Sequence, residues 1–191
     1  MAAMEKKTRD LDRKTDDQKG AQPQKRAAKV TEYGRQLQEK QKVKEAYGVR
    51  ENQFKRFFEI AARSREATGE TLLTLLERRL DNVVYRLRLS TTRRQARQVI
   101  VHGHMLVNGV RVTSPSYLVH VGDVVHLATR SSESETFVKT VIEKRAAANV
   151  KVPEWLEHDR KAHSGRVIRF PVRADVSIQV NENFIVELYS K

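Results

Sequence analysis

The stretch Thr92-Arg-Arg-Gln-Ala-Arg-Gln-Val-Ile-Val-His-Gly-His-Met-Leu-Val-Asn-Gly-Val-Arg-Val112 changes its hydrophobic period half-way along. Ala96, Val99 and Ile100 recur at helical spacing and give one buried face. Thr92 with Gln95 three positions on has the form of a capping box, and Gly103 suits the end of a short helix. From Met105 the pattern becomes strand-like. Asn108-Gly109 between Met105-Leu106-Val107 and Val110-Arg111-Val112 is the strongest short-range hairpin signal. A capped helix feeding a hairpin points to an α+β fold.

Upstream, Phe54, Phe57, Phe58, Ala61 and Ala62 fall at helical spacing and predict an amphipathic helix over residues 51–67. Thr68 and Gly69 interrupt it, and Glu70 suits the first turn of a new helix. Leu73, Leu76, Leu80, Val83, Val84 and Leu87 then read as one continuous stripe, expected to pack on the first as a helical subdomain. Residues 1–30 offer almost nothing to bury and are expected to be disordered until bound. Downstream, 117–121 and 124–127, joined by Gly122-Asp123, read as a second strand pair. Residues 131–135 read as a polar loop and 136–148 as a helix. Pro153, Trp155 and Leu156 read as anchors of an irregular crossing, and short strands are expected near 167–170 and 177–180.

The chain has 191 residues with 37 Lys plus Arg against 24 Asp plus Glu, a net charge of +13, which points to a polyanionic partner. Residues 1–45 hold 13 basic and 8 acidic groups, 46–104 hold 12 and 6, and 105–191 hold 12 and 10, so the basic field belongs to the first half. Hydrophobic residues at 39% suffice for one or two small cores but not for a large enzyme domain. There are no cysteines, which excludes disulfides, thiolate zinc sites and a Cys nucleophile. With no long apolar run for a membrane span or a secretory signal, the chain is expected in the cytoplasm, away from membranes.

Arg78, Arg79, Arg86, Arg88, Arg93, Arg94 and Arg97 face a single acid, Asp81, between residues 78 and 104. Arg93 and Arg94 open their helix, where the macrodipole disfavours a cation by about 0.3–1 kcal/mol. Placing guanidinium forks beside exposed N–H groups there makes sense if a phosphate docks against them. Arginine outnumbers lysine 11 to 1 between 46 and 104, which favours folded RNA over a membrane surface. His102, His104 and Asn108 lie where helix meets hairpin, within reach of ribose or base edges, although Asn108 is accounted for as a turn residue. Two histidines without cysteines or nearby acids make a poor metal site. No paired carboxylates and no Gly-rich phosphate loop were found, and Ser164-Gly165 lacks the context of a nucleophile elbow. Neither an enzyme nor a cofactor is expected.

The run Arg79-Leu-Asp-Asn-Val-Val-Tyr-Arg-Leu87, with Thr92 to Val99, His102-Gly-His104, Val107-Asn-Gly109 and Gly122-Asp-Val124, resembles the small RNA-binding fold named the S-four domain. Tyr33-Gly34, Glu39-Lys-Gln-Lys-Val43, Tyr47-Gly48, Gln53-Phe54, Gly69-Glu70 and the tail from Asn181 to Lys191 resemble the bacterial ribosomal S-four family more widely. The resemblance implies a helical domain at 41–90, completed by the tail 178–191, with an inserted α/β RNA-binding module at 91–177. The module would have two helices and a mostly antiparallel sheet, a motif core at about 79–142, and a basic, divergent, disordered extension at 1–40 before it. It also implies primary binding to small-subunit (16S) ribosomal RNA and nucleation of the five-prime domain. The implied location is near the channel where messenger RNA enters, beside small-subunit proteins S-five and S-three, with an influence on decoding accuracy. Some relatives also repress their own messenger. Carried over by position, the RNA face comprises Lys40, Lys42, Lys44, Tyr47, Gln53, Lys55, Arg56, Arg86, Arg93, Arg94, Arg97 and His102, to which Arg63 and Arg65, off the apolar face of the predicted helix, are added. Residues 1–30 carry neither the Arg-Arg stretch nor the four-cysteine zinc knuckle of some relatives, so no zinc is expected.

Overall fold

The computed structural model describes residues 31–134, 138–139 and 151–190. The extension expected over 1–30 and nearly all of the helix expected over 136–148 lie outside them. Among the described residues there are seven α-helices and one antiparallel sheet, an α+β fold. In chain order come α1 (Glu32–Tyr47), α2 (Glu51–Ala62), α3 (Thr68–Glu77), α4 (Leu80–Arg86) and α5 (Arg93–Val101). Then follow β1 (Met105–Val107), β2 (Val110–Arg111), β3 (Val124–Leu127), α6 (Thr129–Ser132), β4 (Leu156–Asp159), β5 (Ser164–Val167) and α7 (Glu182–Ser190).

Two hydrophobic cores organise these elements. The first joins Val43, Tyr47, Phe54, Leu73, Leu76 and Ile185, so the C-terminal helix packs back on the helices that open the described chain. Tyr189 of α7 stacks on Phe58 with ring centroids 4.4 Å apart. The second joins Leu80, Val84, Leu87 and Ile100 to Val125 and Trp155, placing α4 and α5 against the sheet.

The apolar stripe expected to run unbroken from Leu73 to Leu87 is divided between these cores. α3 stops at Glu77, and Arg79 is extended with φ −62 and ψ 137, forming a bridge to Leu118. The helical period survives the break, which is why spacing alone did not show it. Residues 32–40, counted with the extension from the sequence, are helical here. α1 has few buried apolar positions and is held instead by polar contacts, such as Gln36 Nε2 donating to Glu187 Oε2 at 2.9 Å.

The sheet order is β2-β1-β3-β5-β4, all antiparallel. The hairpin expected at Asn108-Gly109 is present, with φ of 51° and 81° at its two central residues, the left-handed pair that a tight two-residue turn demands. Residues 117–121 do not pair with β3 as expected. Val119 N–H donates to Arg78 O, and the Asp123 carboxylate accepts from His120 N–H, so this segment caps the break at Arg78-Arg79 while β3 lies between β1 and β5. The strand expected at 167–170 is not there: β5 ends at Val167, residues 168–170 are irregular, and β4, the partner of β5, starts at Leu156, inside the stretch expected as an irregular crossing. Residues 177–180 form no strand, because the Arg173 guanidinium donates to Val180 O at 3.0 Å and holds them against a 3-10 turn. The expected polar loop at 131–135 begins inside α6.

Ser164-Gly165 has a packing role. A Cβ on Gly165 would lie 2.2 Å from Leu87 Cδ2 and 2.9 Å from Glu157 O. Overpacking of this kind costs about 1–3 kcal/mol. Gly165→Ala is therefore expected to lower the urea midpoint with an unchanged slope, and an unaltered midpoint would show that Leu87 repacks freely.

Candidate nucleic-acid interface

The C-terminal end of α1, the turn at Gly48–Arg50 and the N-terminal end of α5 enclose an open groove of about 930 Å³. Five cationic side chains line it, Lys44, Arg50, Arg93, Arg94 and Arg97, against one carboxylate, Glu45. The helix end that faces it is capped as its sequence indicated. The Thr92 hydroxyl accepts from Gln95 N–H at 3.1 Å, while the Gln95 side-chain oxygen accepts from Thr91 N–H at 2.7 Å, one residue earlier than a reciprocal box would place it. The remaining first-turn N–H groups and the macrodipole give this end a preference for anions.

A buried polar network fixes the groove from behind. Glu77, fully buried at the end of α3, accepts from Tyr47 Oη at 2.7 Å, from Asn82 Nδ2 at 2.6 Å and from Arg86 at 2.7 Å. Asp81 accepts two bonds from Arg79 and one from Arg97 Nε at 2.7 Å. Arg97 then donates to the carbonyls of Tyr47 and Gly48, at 2.6 and 2.5 Å, clamping α5 to the end of α1. Gly48 is needed there: its φ is +58, and a Cβ would stand 3.1 Å from the Arg97 guanidinium. Arg93 bonds Asn82 Oδ1 at 2.9 Å and lies over the ring of Tyr85, 4.6 Å from its centroid. Burial, and after it the neighbouring Arg86, press the Arg93 pKa down. Burial, and then Glu77, push the Tyr47 phenol up, so it stays a neutral donor.

The model described as "S4 domain" matches residues 78–125, and the model described as "Ribosomal protein S4/S9 N-terminal domain" matches residues 2–77. Small ribosomal subunit protein uS4 of Acetivibrio thermocellus is 51% identical over 163 residues, covering 85% of this chain and 77% of the relative. The chain belongs to the uS4 family. That of Aquifex aeolicus is 51% identical over 169 residues, covering 87% and 79%, and that of Ruminiclostridium cellulolyticum is 50% identical over 163 residues, covering 85% and 77%. As a member of the uS4 family the chain is a ribosomal protein with an RNA-binding S-four domain, not an enzyme.

Of the residues singled out from the sequence, the groove brings together Lys44, Arg93, Arg94 and Arg97. Tyr47 lies beneath it, buried, with its hydroxyl given to Glu77. Arg86 is paired with Glu77 on the far side of the network. Lys40 and Lys44 both donate to Glu51, and these bonds hold the Glu51 carboxyl down at about 2. Lys42 pairs with Glu39 on the exposed side of α1. Gln53, Lys55 and Arg56 are exposed on α2, and Arg63 and Arg65 are exposed just after it, all outside the groove. Gln53 and Arg56 border a separate cavity of about 140 Å³ with Ile60 and Ser116. His102 lies at the opposite end of α5, in a second cleft. Arg50, Tyr85 and Thr91 line the groove and were missed. The signal for Arg50 was its position between Gly48, which turns the chain, and the start of α2.

Among the described residues no helix is long and apolar enough to cross a membrane, and no group of three or more His, Asp or Glu is placed to hold a metal ion.

Proposed function

We propose that the chain is a structural constituent of the small ribosomal subunit that binds 16S ribosomal RNA as a primary binder and nucleates folding of its five-prime domain. In the assembled, cytoplasmic ribosome it sits beside S-five and S-three near the channel where messenger RNA enters, and it contributes to translational accuracy. The observation that carries the RNA-binding part is the groove at the head of α5, where five cations and a helix N-terminus meet one carboxylate. The ribosomal setting rests on family membership. The division of labour goes with it: a helical domain at 41–90 with the tail 178–191, and an RNA-binding module at 91–177. The two separate cores support a two-part division, but with the change of core at Arg78-Arg79, since Leu80, Val83, Val84, Leu87 and Leu89 pack with the sheet and not with the helical core.

The groove, together with the exposed cations Lys42, Lys55, Arg56, Arg63 and Arg65, forms the RNA face in this reading. Neutralising about 8 phosphates makes log affinity fall with log salt at a slope of about −6 to −7. Equilibrium binding of the full chain to a five-prime-domain rRNA fragment, measured across salt concentrations, tests this. A slope near zero would refute the proposed surface.

A further inference from the structure

We propose that the cleft at the C-terminal end of α5 is a second phosphodiester-binding site that takes a separate turn of the same RNA; this rests on the RNA-binding function proposed above. The cleft measures about 370 Å³ and is lined by His102 and His104 after α5, Arg111 of β2, and Arg130 and Ser131 of α6. The end of α5 and the neighbouring hairpin, joined by α6 from about twenty residues further on, thus bring four groups that carry or can acquire positive charge to one concavity. That convergence is chemistry suited to a phosphate.

Cations at a helix C-terminus have an ordinary explanation, since they complement the macrodipole and cap its carbonyls. Here backbone groups already cap the carbonyls. His102 N–H donates to Gln98 O at 3.0 Å, Gly103 N–H to Ile100 O at 2.8 Å and His104 N–H to Val99 O at 3.1 Å. No hydrogen bond or ion pair among the described residues engages the side chains of Arg111, Arg130 or His102. Yet Arg111 is held close: Gly103 has φ +76, and a Cβ there would come within 3.1 Å of Arg111 Cδ. The buried Ser131 hydroxyl lies 2.8 Å from His104 Nδ1 and fixes that ring. Burial, then the proximity of His102 and Arg111, lowers the His104 pKa, so protonation of that ring is disfavoured. A bound phosphate reverses that balance.

The nine residues of α5 separate this cleft from the groove by about 14 Å at about 1.5 Å per residue. At that distance, losses at the two places should add.

The test compares the full chain, the exposed pair R111A/R130A and the groove pair R50A/R94A for binding to the five-prime-domain rRNA fragment across salt. Thermal unfolding of each serves as the folding control. Removing Arg111 and Arg130 is expected to weaken binding about tenfold and flatten the salt slope by about 1.4 to 1.8, as for two lost phosphate contacts. In parallel, inorganic phosphate is titrated into the wild-type chain while the ring signals of His102 and His104 are followed by NMR. Those signals should shift, and the titration of His104 should move to higher pH. Unchanged affinity and slope in R111A/R130A, with a steep wild-type slope, would overturn the second site and leave the groove standing. A flat wild-type slope would instead remove the RNA-binding function itself. Ring shifts with phosphate but no change in RNA affinity would overturn the RNA assignment in favour of a free phosphate ligand.

Discussion

Replacing Glu77 by Ala is expected to destabilise the folded chain by about 3–5 kcal/mol, the usual cost of removing one partner from a buried ion pair. Glu77 is fully buried, and its carboxylate takes bonds from Tyr47, Asn82 and Arg86, which come from α1 and α4. Truncation leaves a phenol hydroxyl, an amide and a guanidinium without their acceptor in a site where Arg86 is only 12% exposed. It also opens a void between the two cores, since Glu77 stands where the helical core passes to the sheet core. Chemical denaturation measures the loss directly. Glu77→Gln keeps the volume and one acceptor, so it should cost less, with Arg86 keeping a hydrogen bond but losing its counter-charge. A loss below about 1 kcal/mol for Glu77→Ala would mean that water satisfies the network and that it does not hold the groove in place.

How much of this was legible beforehand depended on whether a residue's reason for being there was local. Asn108-Gly109 was readable because two successive left-handed positions nearly dictate those residue types. Thr92 was readable because a cap bonds its own helix. The strand character of Glu157, His158 and Asp159 was not, because their order comes from pairing with β5, far from any apolar alternation. The break at Arg78-Arg79 was hidden because Leu76 and Leu80 keep helical spacing while facing different cores.

The site divides in the same way. Charge density on the sequence located the groove, and Arg94 and Lys44 line it. Counting charges could not show that Arg86, Arg93 and Arg97 meet acids, amides and carbonyls contributed by α3, α4 and the end of α1, because each pairing spans nine or more residues. Three guanidinium groups that looked like free RNA ligands therefore also act as internal struts. Tyr47, carried over as an RNA contact by resemblance, is buried and acts from below.

That double role decides which substitutions report on binding alone. Arg50 and Arg94 are exposed and line the groove, and among the described residues no hydrogen bond or ion pair engages either side chain. The double variant R50A/R94A is expected to keep its unfolding temperature while its affinity for the five-prime-domain rRNA falls about ten- to a hundredfold, with a salt slope shallower by about 1.4 to 1.8. Arg97→Ala should behave differently. It removes the bonds to Asp81 and to the carbonyls of Tyr47 and Gly48, so it should lower stability and affinity together, with the affinity loss partly recovered at temperatures well below unfolding. A binding loss in R97A equal to that in R50A/R94A, with unchanged stability, would show Arg97 to be a direct phosphate ligand. Unchanged affinity in R50A/R94A would be more serious, because those two side chains are the part of the groove whose charge has no internal use. The positive field at the head of α5 would then have to serve something other than RNA.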